Sequence, residues 1–200
     1  MVKTFKGVMA DDKIRFRPPI ATERNKMTFT LYDATVANYL QTLGAVAHIL
    51  ETGHKHFSET GKDPAEGVMA RLAPDMLPLW FQIVSVTHHS RGAIEGAGKG
   101  LFEPPPRKSD FTYAELQRLV TDARSELSAL TPEVVNALAG RDVIFKSGDL
   151  ALPFKAEGFL MSFSLPNFYF HAATTYGILR HIGVTLGKRD FMGKMNMSAR

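Results

Sequence analysis

The strongest constraint on this chain is the segment from Gly158 to Gly193, GFLMSFSLPNFYFHAATTYGILRHIGVTLGKRDFMG. It reads as one long buried helix, kinked at Pro166, with a basic, glycine-punctuated exit. Leu160, Phe163, Asn167, His171, Thr174, Ile178 and His181 recur at steps of three or four, which places them on one helical face. Most of that face is apolar, yet it carries an amide, a hydroxyl and two imidazoles. Buried polar groups need partners, so the helices around this one should enclose a polar pocket.

The other segments supply those helices. Asp33 is placed to cap a helix running through DATVANYLQTLGAVAHILETGHKHFSE, with Val36, Leu40, Leu43, Val46 and Leu50 inward. His48 falls off that stripe, Gly53 ends or weakens the helix, and His54 and His56 read as surface groups. Asp63-Pro64 starts a short helix. A second long helix follows Pro74 and Pro78 and runs to about Ala97. Trp80, Phe81, Val84, Thr87 and His88 share one side of it; Gln82, Ser85, Val86 and His89 share the neighbouring side. That pattern makes His88 the more inward of the two histidines.

Three prolines make the GLFEPPPRKSDF stretch a loop. Thr112 and Glu115 form a capping-box pattern. They open a third long helix with Leu116, Leu119, Val120, Ala123, Leu127 and Leu130 inward. A short helix restarts at Thr131-Pro132. Alternation on either side of Ser147-Gly148-Asp149 predicts a β-hairpin. Four long amphipathic helices, short accessory helices and one small hairpin insert predict an all-α four-helix bundle.

Two hundred residues suffice for one domain. The net charge of +4 belongs to a leader, residues 1–27. Lys3, Lys6, Lys13, Arg15, Arg17, Arg24 and Lys26 there face only Asp11, Asp12 and Glu23, and the remainder is balanced. The expected organisation is therefore a basic, partly ordered N-terminal extension over residues 1–27 and a bundle over residues 28–200. A basic leader on a balanced domain argues against nucleic acid as the partner. The absence of cysteine excludes disulfides, thiolate catalysis and cysteine metal sites. No apolar run reaches the ~18 residues of a membrane span, and the first residues lack the apolar core of a secretory signal. A cytoplasmic location is the expectation.

The residues that could carry chemistry are His88, His89, Asn167 and His171, on two of the long helices. His171 follows Asn167 by four residues, so both side chains point the same way. One imidazole from the second helix and a pair at i and i+4 on the last can hold a metal in a bundle core. Asn is a weak ligand for such a metal. Hydrogen bonding of these groups inside the core is the competing expectation. His181 lies near a helix C-terminus, where a cap is favoured. Phosphate-loop, HExxH and GxSxG patterns are absent.

The segments YDATVANYLQTLGAV, RLAPDMLPL, FTYAELQ, LPNFYFH and ILRHIGVTLGKRDFMG resemble a domain-of-unknown-function family of bacteria and fungi in the DinB/YfiT-like superfamily. The likeness spans about residues 28–193. It implies a DinB-like four-helix bundle, commonly a homodimer. Many relatives hold a divalent metal with three histidines, one on the second helix and an HxxxH pair on the last. Some are thiol-dependent transferases or hydrolases. By position the first ligand falls at His88, with His89 beside it, and the pair falls at Asn167 and His171, so one ligand position carries an amide.

Three functions stay open at this point. One is a divergent metal-dependent small-molecule hydrolase or transferase, with zinc, nickel or iron on His88 and His171, and His89 and His171 as catalytic groups. The second is a metal-free acid–base enzyme of isomerase, cyclase or dehydratase type. The third is a non-catalytic dimeric module. For either enzyme, the pocket for a small-molecule ligand would be lined by Trp80, Phe163, Asn167, Phe170, Thr174 and His181.

Overall fold

A computed structural model describes residues 29–105, 108 and 110–197. The leader expected over residues 1–27 lies outside the described residues. The helices are α1 (Leu31–Ala34), α2 (Val36–Thr60), α3 (Pro64–Met69), α4 (Leu79–Thr87), α5 (Ala93–Lys99), α6 (Tyr113–Ser128), α7 (Pro132–Asn136), α8 (Ala156–Gly158), α9 (Leu165–His181) and α10 (Lys188–Met192). Two π-helical segments, His88–Gly92 and Phe159–Ser164, join α4 to α5 and α8 to α9. The strands are β1 (Leu101–Phe102), β2 (Asp142–Ser147) and β3 (Leu150–Lys155).

Four long elements close a ring. The α2 helix packs on α6 and α9, and α4 packs on the same two from the other side. Tyr39, Leu43, Ile49 and Leu50 of α2, Leu79 and Ile83 of α4, Leu116 and Leu127 of α6, and Phe168 and Ile178 of α9 are fully buried between them. Each such side chain contributes about 1.5–3 kcal/mol relative to leaving it in water. The Phe168 ring meets Tyr39 edge-on at 4.9 Å across the α2–α9 seam.

Local chemistry sets the element ends. Thr30, not Asp33, caps the first helix; Asp33 is the reciprocal member of that box and accepts from the Thr30 N–H at 3.0 Å. Thr112 and Glu115 form the expected box on α6, and Asp63 caps α3 ahead of Pro64. Gly53 does not interrupt α2. It is buried mid-helix, where an added Cβ would run into the Tyr113 hydroxyl, and that hydroxyl donates to the Leu50 carbonyl at 2.9 Å.

The hairpin pairs Asp142 with Lys155 through to Ser147 with Leu150, turning at Gly148 with φ 58°. The loop expectation for GLFEPPPRKSDF misses β1, which adds in parallel to β2 with Leu101 opposite Ile144 and Phe102 opposite Phe145. Its two residues carry no period; the pairing partner is some forty residues away and supplies the order.

The last long helix also departs from expectation. Pro166 sits in the first turn of α9, where its missing N–H costs little, and the irregularity precedes it as the π segment. The buried stripe runs Leu160, Ser164, Phe168, Ala172, Thr175 and Leu179, mostly at steps of four. The wider π turn slows the rotation of the face. The stripe expected from uniform α spacing is accordingly split: Ile178 is buried, whereas Asn167 is half-buried and His181 exposed.

Beyond Gly183 the chain folds back on α2. The Arg180 guanidinium donates to the Leu186 carbonyl at 2.6 Å and the Gly187 N–H to Asp190 Oδ2 at 2.7 Å. Gln41 Nε2 donates to the Met192 carbonyl at 2.8 Å. Among the described residues, no helix is long and apolar enough to cross a membrane.

Candidate functional site

The two π segments face each other across the bundle. A π turn shifts backbone bonding from i+4 to i+5 and loosens carbonyls that an α-helix would use. Small hydroxyls take up the slack. Ser90 Oγ donates to the Val86 carbonyl at 2.7 Å, and Ser164 Oγ crosses from the second segment to the His89 carbonyl at 2.7 Å. Ser90 and Ser164 are both fully buried, and these bonds pair their buried hydroxyls. The crosslink fixes His89 beside α9.

His171 is the ring that His89 meets. Their centroids lie 6.1 Å apart with planes 13° from parallel. Gln82 orients His171: Gln82 Nε2 donates to the Leu77 carbonyl at 2.8 Å, so its Oε1 must be the atom 2.8 Å from His171 Nδ1. An amide oxygen only accepts, so Nδ1 carries the proton and Nε2 presents the lone pair. Burial lowers His171 to about 4 and His89 to about 3, the latter helped by its imidazole neighbours His88 and His171. Burial also lowers His88. All three imidazoles are neutral near pH 7.

The small sheet roofs this cluster with phenylalanine. Phe102 of β1 stacks on His88 at 4.3 Å and lies 5.5 Å from His89. Phe145 of β2 and Phe154 of β3 pack on Phe163 at 4.8 and 5.8 Å, and Phe163 lies 5.8 Å from His89. The strands thus position the aromatic lid, and the apolar lid keeps the imidazoles uncharged.

The two adjacent histidines separate in role. His89 turns to α9. His88, expected to be the more inward, makes its ring contacts with His89 and Phe102 instead of His171. It lines a cavity of about 410 Å³ together with Arg91 of the first π segment and with Phe102, Glu103, Lys108 and Phe111. His88 Nε2 and His89 Nδ1 are buried without a hydrogen-bond partner among the described residues. The cations at this cavity are already matched: Arg91 bonds Glu126 at 3.0 Å, and Lys108 bonds Glu115 at 3.2 Å.

Of the residues expected around the pocket, Phe163 stands at the imidazoles and Phe170 touches His171 edge-on at 5.2 Å while remaining 59% exposed. The others are elsewhere. Trp80 stacks on Phe111 at 6.0 Å, Thr174 donates back to the Phe170 carbonyl, and His181 is exposed at the end of α9. Asn167 folds its amide onto the Phe163 carbonyl at 2.7 Å. Gln82 and Ser164 were not singled out from the sequence. For Gln82 a signal existed: an amide inside LWFQIVSV, one face with His89.

This donor set does not fit the three-ligand metal centre expected by resemblance. Asn167 spends its amide along its own helix, and His88 stands on the far side of His89 from His171. No group of three His, Cys, Asp or Glu side chains is arranged to hold a metal ion among the described residues.

The family model described as Domain of unknown function (DUF1993) matches residues 31–192. Among solved structures, the chain is similar to the crystal structure of a DinB family member protein from Shewanella denitrificans. The TM-score is 0.71 at 24% identity, over 85% of this chain and 96% of that one. At that identity the likeness concerns the fold, which is a DinB-like bundle with a small sheet. No curated protein matches the chain.

Proposed function

The chain belongs to the DUF1993 domain-of-unknown-function family, and we propose that it binds a small, mostly apolar molecule in the cavity beside His88 and acts on it by metal-free acid–base chemistry. The observation that carries this is His88 itself: an imidazole at the wall of a cavity of about 410 Å³, with a buried nitrogen that lacks a partner. The volume lies in the range of small-molecule sites. Its paired cations leave no strong net charge to attract an anion, which favours a neutral ligand with one hydrogen-bonding head. A neutral imidazole can accept a proton from such a head or donate one, and His89, itself stacked on His171, packs against its ring. His88 is thus the acid–base group, and His89 and His171 are positioning residues.

Diethyl pyrocarbonate tests this, with modification read residue by residue by peptide mass spectrometry between pH 5 and 8. His88 should react, and because burial lowers its pKa its reactivity should persist further toward acid than that of an ordinary imidazole. Exposed His54 and His181 calibrate the reagent. An unreactive His88 beside reactive surface histidines would leave the cluster a packing device. Near-stoichiometric zinc, nickel or iron in protein purified without tag or chelator, lost in His171→Ala, would replace this mechanism with a metal-dependent one.

A homodimer, expected by resemblance, has a natural seat in this proposal. Pro166, Tyr169 and Phe170 are exposed together on α9, with Met161 exposed just before it. Covering that face would remove the apolar surface left open by the LPNFYFH segment.

A further inference from the structure

The basic exit LGKRDFMG plays no part in the histidine cluster, yet it is held on α2 with some care. Gly193 has φ 61° and lies so close to α2 that an added Cβ would stand 3.1 Å from the Ala45 Cβ and 3.2 Å from the Gln41 carbonyl oxygen. With the Gln41–Met192 bond, this pins the segment after α10 against the helix. Between the pinned segment, α2 and α6 lies a second cavity of about 650 Å³.

Its charge is one-sided. Arg124 of α6, Arg189 and Lys194 line it, and none of the three is in an ion pair among the described residues. The one acid on the wall, Asp190, is already engaged, with Oδ1 3.0 Å from His48 Nε2 and Oδ2 accepting from the Gly187 N–H. The Arg124 guanidinium lies over α2 at Gly44, its Nε and Cζ 3.9 Å from where a Cβ would be. Leu40 and Ala45 make an apolar floor. A concave wall with two guanidinium forks and an ammonium, without a competing free carboxylate, attracts an oxyanion.

We propose that this cleft, closed by the C-terminal segment, is a binding site for a small molecule bearing a phosphate or diphosphate group, separate from the histidine cavity. The oxyanion would sit among Arg124, Arg189 and Lys194, with the organic part over Leu40 and Ala45.

Inorganic pyrophosphate is the probe, titrated calorimetrically at low ionic strength into the full chain. Arg124→Gln and Arg189→Gln should each weaken binding by about tenfold, the effect of losing one charge-assisted bond. Gly193→Ala, which keeps every charge but strains the closure, should weaken it as well. Arg118→Gln, an exposed change on α6 outside the cleft, should leave it unchanged. The inference is overturned if pyrophosphate does not bind, if Arg118→Gln weakens it as much as Arg124→Gln, or if Gly193→Ala has no effect. All four sites of change are surface or tail positions, and circular dichroism confirms the fold of each variant. Failure here leaves the His88 cavity untouched, because the two sites share no lining residue.

Discussion

Lowering the pH should unfold this protein through its interior histidines before its carboxylates respond. His89 and His171 have folded-state values of about 3 and about 4, against 6.5 for an exposed imidazole. Below pH 6.5 the unfolded chain takes up protons at both rings and the folded chain does not, so stability falls as pH falls. The loss continues until the pH reaches the folded values. Between pH 7 and pH 5 each ring accounts for about 2 kcal/mol, or ~4 kcal/mol for the pair, an upper figure because both rings keep some contact with water. His88 shifts in the same direction and adds to the effect. The assay is urea unfolding followed by fluorescence of Trp80, the sole tryptophan, at pH 7, 6 and 5. The comparison is a His89→Gln/His171→Gln double variant, in which the carboxylates and His88 still titrate. The parent should lose several kcal/mol more than the double variant over that window. Parallel curves for the two proteins would refute the claim that these rings are held neutral by burial.

Three further outcomes follow from particular contacts. Gln82→Leu leaves both His171 Nδ1 and the Leu77 carbonyl without their partner, and should cost about 1–3 kcal/mol in the same urea assay. Gly53→Ala should destabilise by about 1–3 kcal/mol through collision with the Tyr113 hydroxyl, and Tyr113→Phe should relieve part of that in a double-mutant cycle instead of adding to it. Phe170→Glu, on the exposed face of α9, should leave the fold intact by circular dichroism and convert any dimer seen by light scattering to monomer; an unchanged mass for a dimeric parent would place the interface elsewhere.

The bundle was legible because its signals are local. Val36, Leu43, Val46 and Leu50, and likewise Leu116, Val120, Ala123 and Leu127, recur at helical spacing and are buried in that pattern. The Thr112–Glu115 box, the Asp63 cap and the Gly148 turn are each written within four residues. The site was harder to read because its signals are not local. His89 rather than His88 reaches α9, since both rings sit where α4 passes into a π segment and a uniform 3.6-residue period mislays the direction of each. The same error on the last helix put Thr174 and His181 at a pocket they do not reach. The phenylalanine roof depends on β1 finding β2, a pairing no two-residue strand announces.

The π segments also bear on how this family can change over time. Each amounts to a helix carrying one residue more than its α-helical neighbours need, and removing that residue would turn everything beyond it by about 100°. At His88–Gly92 that rotation would act on α5 and the Phe102 strand; at Phe159–Ser164 it would act on LPNFYFH. A relative that lost a residue from one segment alone would swing His171 away from His89 or break the Ser164 bond to the His89 carbonyl. Substitutions in these stretches can accumulate one at a time, whereas single-residue length changes cannot. In an alignment of relatives, gaps should therefore be scarce within these two short windows even where identity is low.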